Sequence, residues 1–521
     1  MSDNYSEATL PTLRDAVAES AAAPCLQCTI VFHPCVERIG QCAVFDVKKM
    51  EHSLGRQTPC FSPETDDYSA PLEDPYLSRR ALTINVEESG VRLSRLPGAS
   101  RCRVAAVELH DELFLDNARL EAGVPLALSH TVVLMLRRSG ATRQSSPDTL
   151  QCSILGSSPA MGRLREEVRR AASSDFDVLI TGATGVGKEL VARAIHLNSR
   201  RSAGPLISVN MAAVPASLAG SVLFGSSKGA FTGADRARPG YFQQAQGGIL
   251  FLDEVGDTQE EVQPLLLRAL QQREIQVVGG SVRNVDVRVI SATDAQLEGA
   301  SCGFKSALQH RLAEIEIRLP ALAEHPEDIG ELLFHFLSQA CARERRSQLL
   351  PSAHSNAQAL ARWASLFHAF ACYHWPGNIR QLENFAAQVV VASDDLPVIP
   401  QPVMAKVYAS RTVDEPGGDW AVQLAVKSLK PRDISEADFE DAMKRNLFEV
   451  TAVADEFGVS RQSIYRRIDK SSTFRRATDI PETEINQMLV HCGGDLAKAA
   501  LKLQISESGL RQRMRAVRTG V

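Results

Sequence analysis

Between the β-rich run Phe176-Asp-Val-Leu-Ile-Thr181 and the helical run from Glu189 to Leu197 lies Gly182-Ala-Thr-Gly-Val-Gly-Lys188. No other stretch constrains the fold as strongly. The spacing G-x-x-x-x-G-K acts as a phosphate loop when a strand leads in and a helix leads out, and both are predicted here. Glycines let successive backbone N–H groups curl around an anion. The helix N-terminus adds partial positive charge, and the lysine meets the outer phosphates. The nucleotide-binding candidates are therefore Gly182, Ala183, Thr184, Gly185, Val186, Gly187, Lys188 and the following Glu189. Glu189 stands where a serine or threonine usually offers Mg²⁺ a hydroxyl.

The second half of such a site is Gly247-Gly-Ile-Leu-Phe-Leu-Asp253-Glu254, an apolar strand ending in two carboxylates. A buried strand delivers Asp253 as the metal ligand, while Glu254 polarises the attacking water. From Leu150 to about Val391, β-rich runs such as Gly248 to Leu252 and Val285 to Ile290 alternate with helical segments such as Gln263 to Gln272. That alternation predicts an α/β domain on a parallel sheet, with ATP and Mg²⁺ as cofactors.

A chain of 521 residues is too long for one core, and about three domains are expected. Residues 1–24 read as a disordered tail. From 25 to 138, short apolar runs such as Ala81 to Val86, Gly90 to Leu93 and Thr131 to Leu136 alternate with turn residues, which predicts a β-sandwich. A polar linker covers 139–150, the α/β domain 151–392, a proline-rich linker 393–432, and an all-α region 433–521. The net charge of −5 excludes a wholly basic nucleic-acid binder, so any DNA contact needs a local basic surface. No apolar run approaches the ~18–20 residues of a membrane span, and the first residues are polar, so a cytoplasmic protein with no membrane partner is expected. Eleven irregularly spaced cysteines fit reduced thiols. Cys25 and Cys28 form a C-x-x-C near His33 and Cys35, but without a second pair a metal site is the weaker reading, and buried strand cysteines the stronger.

The last ninety residues contain a repeat at an offset of 46. Val450, Val453, Ala454, Phe457, Val459, Ser460, Ile464 and Ile468 match Leu496, Ala499, Ala500, Leu503, Ile505, Ser506, Leu510 and Met514. Each copy reads as helix, short turn with a serine N-cap, and second helix, the spacing of a helix-turn-helix. Residues 431–521 carry 15 Lys+Arg against 14 Asp+Glu. The cations nevertheless cluster after each turn, giving Arg461, Gln462, Arg466 and Arg467 in the first copy and Ser508, Arg511 and Arg513 in the second as DNA-binding candidates.

Gly229-Ala-Phe-Thr-Gly-Ala234, preceded by Leu223-Phe-Gly225, carries the most specific resemblance. The chain resembles the sigma-54-dependent activators, the bacterial enhancer-binding branch of the AAA+ ATPases. That resemblance implies a ring-forming, hexameric ATPase that remodels sigma-54 RNA polymerase on promoters with upstream bound DNA. It assigns Gly229, Ala230, Phe231, Thr232, Gly233 and Ala234 to the sigma-factor contact and Asn210 to a switch that reads Glu254. Trp375-Pro-Gly-Asn-Ile-Arg-Gln-Leu-Glu-Asn384 matches the sensor II segment, with Arg380 facing nucleotide, and a helical lid begins at about 321. Three departures stand out. The sensor I segment ends in Thr293-Asp294 rather than Thr-Asn. Of the two arginines that enter a neighbour's site, Arg311 is present and Lys305 replaces the other. Ala307 stands where an acid is usual. Lysine keeps the charge but loses the planar fork. A DNA-binding regulator or scaffold with a weak ATPase, and a remodeller of another client, are the alternatives.

Leu54-Gly-Arg56 and Leu77-Ser-Arg-Arg-Ala81 resemble a forkhead-associated (FHA) domain, a sandwich whose loops read phosphothreonine. The likeness places Arg56 and Ser78 at the phosphate, assisted by Arg79. Ala81 replaces a structural histidine and Arg103-Val-Ala-Ala-Val107 lacks an expected asparagine, so a sandwich used for docking is the alternative. The second C-terminal copy resembles a Fis-type helix-turn-helix.

Overall fold

The computed structural model describes residues 25–46, 49–63, 69–139, 150–151, 154–230, 236–294, 304–352 and 355–409. Toward the C-terminus it describes 439, 443, 448, 450, 453, 461–468, 474–475, 480–491, 496–506, 510 and 513. The chain divides into two compact units, Met1–Arg411 and Thr412–Val521.

The first unit opens with a β-sandwich. Its strands are β1 (Cys25–Phe32), β2 (Cys42–Phe45), β3 (Glu51–Leu54), β4 (Leu82–Glu87), β5 (Gly90–Arg95), β6 (Cys102–Val104), β7 (Val107–Leu109) and β8 (Glu112–Asp116). A short helix, α1 (Asn117–Ala122), then leads to β9 (Val124–Leu128) and β10 (Val132–Ser139). One sheet runs β2-β1-β10-β9-β6-β7 and the other β3-β4-β5-β8. Alternate residues such as Leu26, Cys28, Ile30, Leu134 and Leu136 fill the space between the sheets. Cys25 and Cys28 are thus strand residues. Burial pushes the Cys28 thiol well up from its usual range, which suits packing and opposes metal ligation.

The other face of β1 and β10 is buried too. Val31, Phe32, Val133 and Met135 join a second core built from the helices that follow the ATPase sheet. This explains why Val132-Val-Leu-Met-Leu136 is apolar without interruption: a strand covered on both faces loses the polar alternation.

Next comes α2 (Pro159–Ala172), capped by the Ser158 side chain on the Met161 N–H, and β11 (Val178–Thr181). The domain continues through α3 (Lys188–Leu197), β12 (Leu206–Asn210), α4 (Ala216–Phe224), α5 (Tyr241–Gln244) and β13 (Ile249–Asp253). Then follow α6 (Gln263–Gln272), β14 (Glu274–Gln276), β15 (Val282–Asn284), β16 (Arg288–Thr293), α7 (Ser306–Leu312) and β17 (Ile315–Arg318). Five strands form a sheet in the order β12-β13-β16-β11-β17, and every pair in it is parallel. The lid consists of α8 (Ile329–Arg343), α9 (Ala357–Ala371), α10 (Asn378–Ala392) and α11 (Gln401–Ala409).

Lid and sandwich meet closely. Phe32 lies against Phe367 with ring centroids 4.8 Å apart. A Cβ on Gly330 would stand 2.4 Å from the Val31 carbonyl oxygen, so only glycine lets α8 reach β1 this closely. Arg137 Nη1 donates to both carboxylate oxygens of Glu327, at 2.9 and 2.6 Å. Its Nη2 donates to the Glu324 carbonyl at 2.7 Å.

The second unit is all α among its described residues, with α12 (Arg461–Ile468), α13 (Glu482–His491) and α14 (Leu496–Lys502). It has two separate apolar clusters. One contains Phe439, Met443, Val453, Ile464, Ile468 and Phe474, the other Ile485, Ala499, Ala500, Leu503, Ile505 and Leu510. The repeat in the sequence maps onto these two cores.

Candidate functional site

The candidate residues gather at the carboxyl ends of the parallel strands. β11 feeds the loop 182–187, β13 ends at Asp253, β12 at Asn210 and β16 at Thr293. Open α/β sheets bind ligands at this edge, where strand order reverses. Here β11 lies between β16 and β17, far from it in sequence.

Gly185 has φ 81°, and a Cβ on it would lie 2.6 Å from the Gly377 carbonyl oxygen. The loop therefore presses against the start of α10 more closely than any side chain permits. Gly187, at φ 99°, turns the chain into α3. Lys188 is 8% exposed, and its Nζ donates to the Gly182 carbonyl at 2.9 Å, folding the side chain back over the loop. Ala183, Thr184 and Glu189 are exposed and Val186 is buried.

Asp253 and Glu254 are half-buried. Glu254 sits in the left-handed region at φ 51°, a conformation that costs a non-glycine residue about 1–3 kcal/mol and is typical of functional sites. Its N–H donates to Asp253 Oδ1 at 3.1 Å. Burial first, then the neighbouring Asp294 carboxylate, push the Glu254 carboxyl above its usual range, while Lys188 opposes the shift. Asp294 moves the other way, because the Thr184 hydroxyl donates to its Oδ2 at 2.5 Å and Lys188 lies near. Thr293 is buried, and its carbonyl accepts from the Gly182 N–H at 3.3 Å.

Asn210 pairs in register with Asp253. Its side-chain oxygen accepts from the Ala213 N–H at 3.3 Å. Arg380 is exposed on the first turn of α10, and its backbone N–H donates to the Gly185 carbonyl at 3.2 Å. Sequence reasoning quoted Asn378 only as part of a motif. Its side-chain amide donates to the Thr184 carbonyl at 3.0 Å, and its oxygen accepts from the Leu322 N–H at 2.9 Å.

The two residues expected to reach a neighbouring subunit differ in their surroundings. Lys305 is exposed, immediately before α7. Arg311 is gripped within its own chain: Nε and Nη2 donate to the Leu270 carbonyl at 3.2 and 3.0 Å, Nη1 pairs with Glu314, and Nη2 lies 3.8 Å from the fully buried Asp177.

Of the loop 229–234, Gly229 and Ala230 are described, while Phe231, Thr232, Gly233 and Ala234 lie outside the described residues. The base of the loop is closed by bridges from Ser226 to Arg238 and to Val278.

In the sandwich, the Arg56 N–H donates to the Ser78 carbonyl at 2.9 Å, and Arg79, next in the chain, is exposed. Ser100, which the sequence reading passed over, pairs its hydroxyl with that of Ser78 at 2.9 Å. In the second unit, Ser508 and Arg511 lie outside the described residues, as do the side chains of Arg461, Gln462 and Arg466. Arg467 is half-buried, its guanidinium 5.1 Å over the Phe439 ring. Arg513 is half-buried as well. Arg467 therefore contributes to packing, a role the charge pattern alone does not suggest.

A phosphate loop after β11, acids after β13 and a helical lid on the loop define an AAA+ ATPase. The profile of the sigma-54 interaction domain matches residues 154–318, and that of the AAA+ ATPase lid domain matches 323–416. Over 359 residues the chain is 38% identical to the transcriptional regulatory protein ZraR of Salmonella typhimurium, covering 68% of this chain and 76% of that protein. It is 40% identical over 290 residues to the DNA-binding transcriptional regulator NtrC of Azospirillum brasilense, covering 54% and 57%. The crystal structure of NtrX from Brucella abortus in complex with ADP is 30% identical and covers 61% of this chain and 69% of that one, with a TM-score of 0.43. This chain belongs to the NtrC and ZraR family of sigma-54-dependent transcriptional activators, and it is an ATP-using AAA+ protein that engages sigma-54. Among the described residues no helix is long and apolar enough to cross a membrane.

Proposed function

We propose that the chain assembles into a hexameric ring, binds DNA upstream of promoters and uses ATP hydrolysis to remodel closed sigma-54 polymerase complexes. The juxtaposition of Lys188, Asp253 and Glu254 at one sheet edge carries this reading, together with Gly229 to Ala234 on a glycine-flanked loop. Lys188 meets the outer phosphates, Glu254 polarises the attacking water, and Arg380 contacts nucleotide from the lid. Asp253 suits Mg²⁺: it is a half-buried carboxylate at a strand end beside the phosphate loop, an oxygen donor of the kind this ion takes. Bound there, the ion would neutralise phosphate charge. The exposed Lys305 reaches the next subunit's site. The sandwich reads a phosphothreonine through Arg56, Ser78 and Arg79, and the residues opening each second C-terminal helix read DNA.

Sigma-54-dependent transcription in vitro tests the whole. Open complexes are expected with ATP and absent with a non-hydrolysable analogue; equal activity with both would sink the proposal. Glu254→Gln is expected to bind ATP and lose turnover by about 10²–10⁴. Thr232→Ala is expected to hydrolyse ATP without activating. A weak or silent ATPase is the second reading, favoured by the engagement of Arg311 within its own chain. Negligible steady-state turnover of the assembled protein would select it.

A further inference from the structure

Thr184, the third residue of the phosphate loop, is held from the lid and from the sensor strand at once. Its carbonyl accepts from Asn378 Nδ2 at 3.0 Å, and Asn378 is itself 4% exposed and fastened to the start of the lid through the Leu322 N–H at 2.9 Å. Its hydroxyl donates to Asp294 Oδ2 at 2.5 Å. Lid and sensor strand thus meet at the third residue of the loop.

The need for the second contact follows from charge. Asp294 stands exposed at the end of β16, beside the loop, with Glu254 near it. A carboxylate free to rotate there faces the phosphates that Lys188 attracts, and like charges at short range in a partly dry site repel strongly. A hydroxyl that donates to one carboxylate oxygen fixes the rotamer and takes up a lone pair that would otherwise face the ligand. We propose that Thr184 is a positioning residue that holds the Asp294 carboxylate away from the ATP phosphates while its carbonyl ties the loop to the lid through Asn378. The proposal rests on residues 182–188 being the phosphate site of ATP.

The full-length chain tests it, by equilibrium binding of a fluorescent ATP analogue, which is measurable whatever the turnover, alongside KM and kcat for ATP. Thr184→Val is expected to weaken binding about tenfold, the worth of one charge-assisted hydrogen bond, with the loss in Kd and KM rather than kcat. Thr184→Ser keeps the hydroxyl and is expected to bind within about twofold of the parent. In an Asp294→Ala background, Thr184→Val is expected to change Kd less than about twofold, because the carboxylate it restrains is gone. Equal losses from Thr184→Val with and without Asp294 would overturn the proposal, as would failure of serine to replace threonine. Lys188→Ala separates this from the underlying reading: retained affinity in that variant would mean that residues 182–188 do not bind the phosphates at all.

Discussion

The ATPase domain is attached to its surroundings in two contrasting ways. On one side, sandwich and lid share a core: Val31, Phe32, Val133 and Met135 interlock with Leu333, Leu337, Trp363 and Phe367, and the Arg137–Glu327 pair closes the edge. The chain leading to Gly229 is instead tied by isolated backbone bridges from Ser226 to Arg238 and to Val278. Among the described residues, nothing lies within 4 Å of where a Gly229 side chain would project. Local stability follows buried apolar contact, so sandwich and lid are expected to open together through the core they share.

Phe32→Ala puts this contrast under the heaviest load. Its ring is fully buried against Phe367, and truncating such a ring costs about 3–5 kcal/mol. Urea unfolding followed by the fluorescence of buried Trp363 and Trp375 should show the lid transition at lower urea; an unchanged lid transition would mean the shared core is not cooperative. Arg137→Ala should cost a comparable or slightly smaller ~3 kcal/mol, because Glu327 is left as a buried, unpaired carboxylate. Arg137→Ala combined with Glu327→Gln should recover part of that loss, and absence of recovery would reduce the pair to surface decoration. Gly229→Ala is the mildest. At φ 81° an alanine is strained by about 1 kcal/mol, confined to the loop, so ATPase activity should hold while activated transcription falls; a matching fall in ATPase would break the contrast.

Much of this architecture was legible before any coordinates. The phosphate loop and the acids after β13 announced themselves because each needs a fixed residue at a fixed offset from a strand, and the strand is visible as an apolar run. The C-terminal repeat was legible because its apolar residues recur at one offset, and those of them that are described, such as Val453 and Ile464 in one copy and Ala499 and Leu510 in the other, fall in two separate clusters. The junction between sandwich and lid was not. Its only local sign is that Val132 to Leu136 never alternates, a pattern that a strand buried on both faces shares with a short buried helix. Asn378 stayed hidden for a different reason. Its two partners, Thr184 and Leu322, are 194 and 56 residues away, and no periodicity reports such a pairing. Arg467 illustrates a third limit, since charge in a sequence does not say whether a long side chain stacks over a ring or reaches into solvent.

Gly330 has a practical corollary for anyone exchanging N-terminal modules between proteins of this kind. With only a hydrogen between α8 and the β1 backbone, sandwich and lid are packed against each other, so cutting the chain in the stretch that follows β10 divides that contact. A graft cut at that stretch would leave the recipient's α8 facing a foreign strand. The transferable piece is the sandwich together with the lid it leans on.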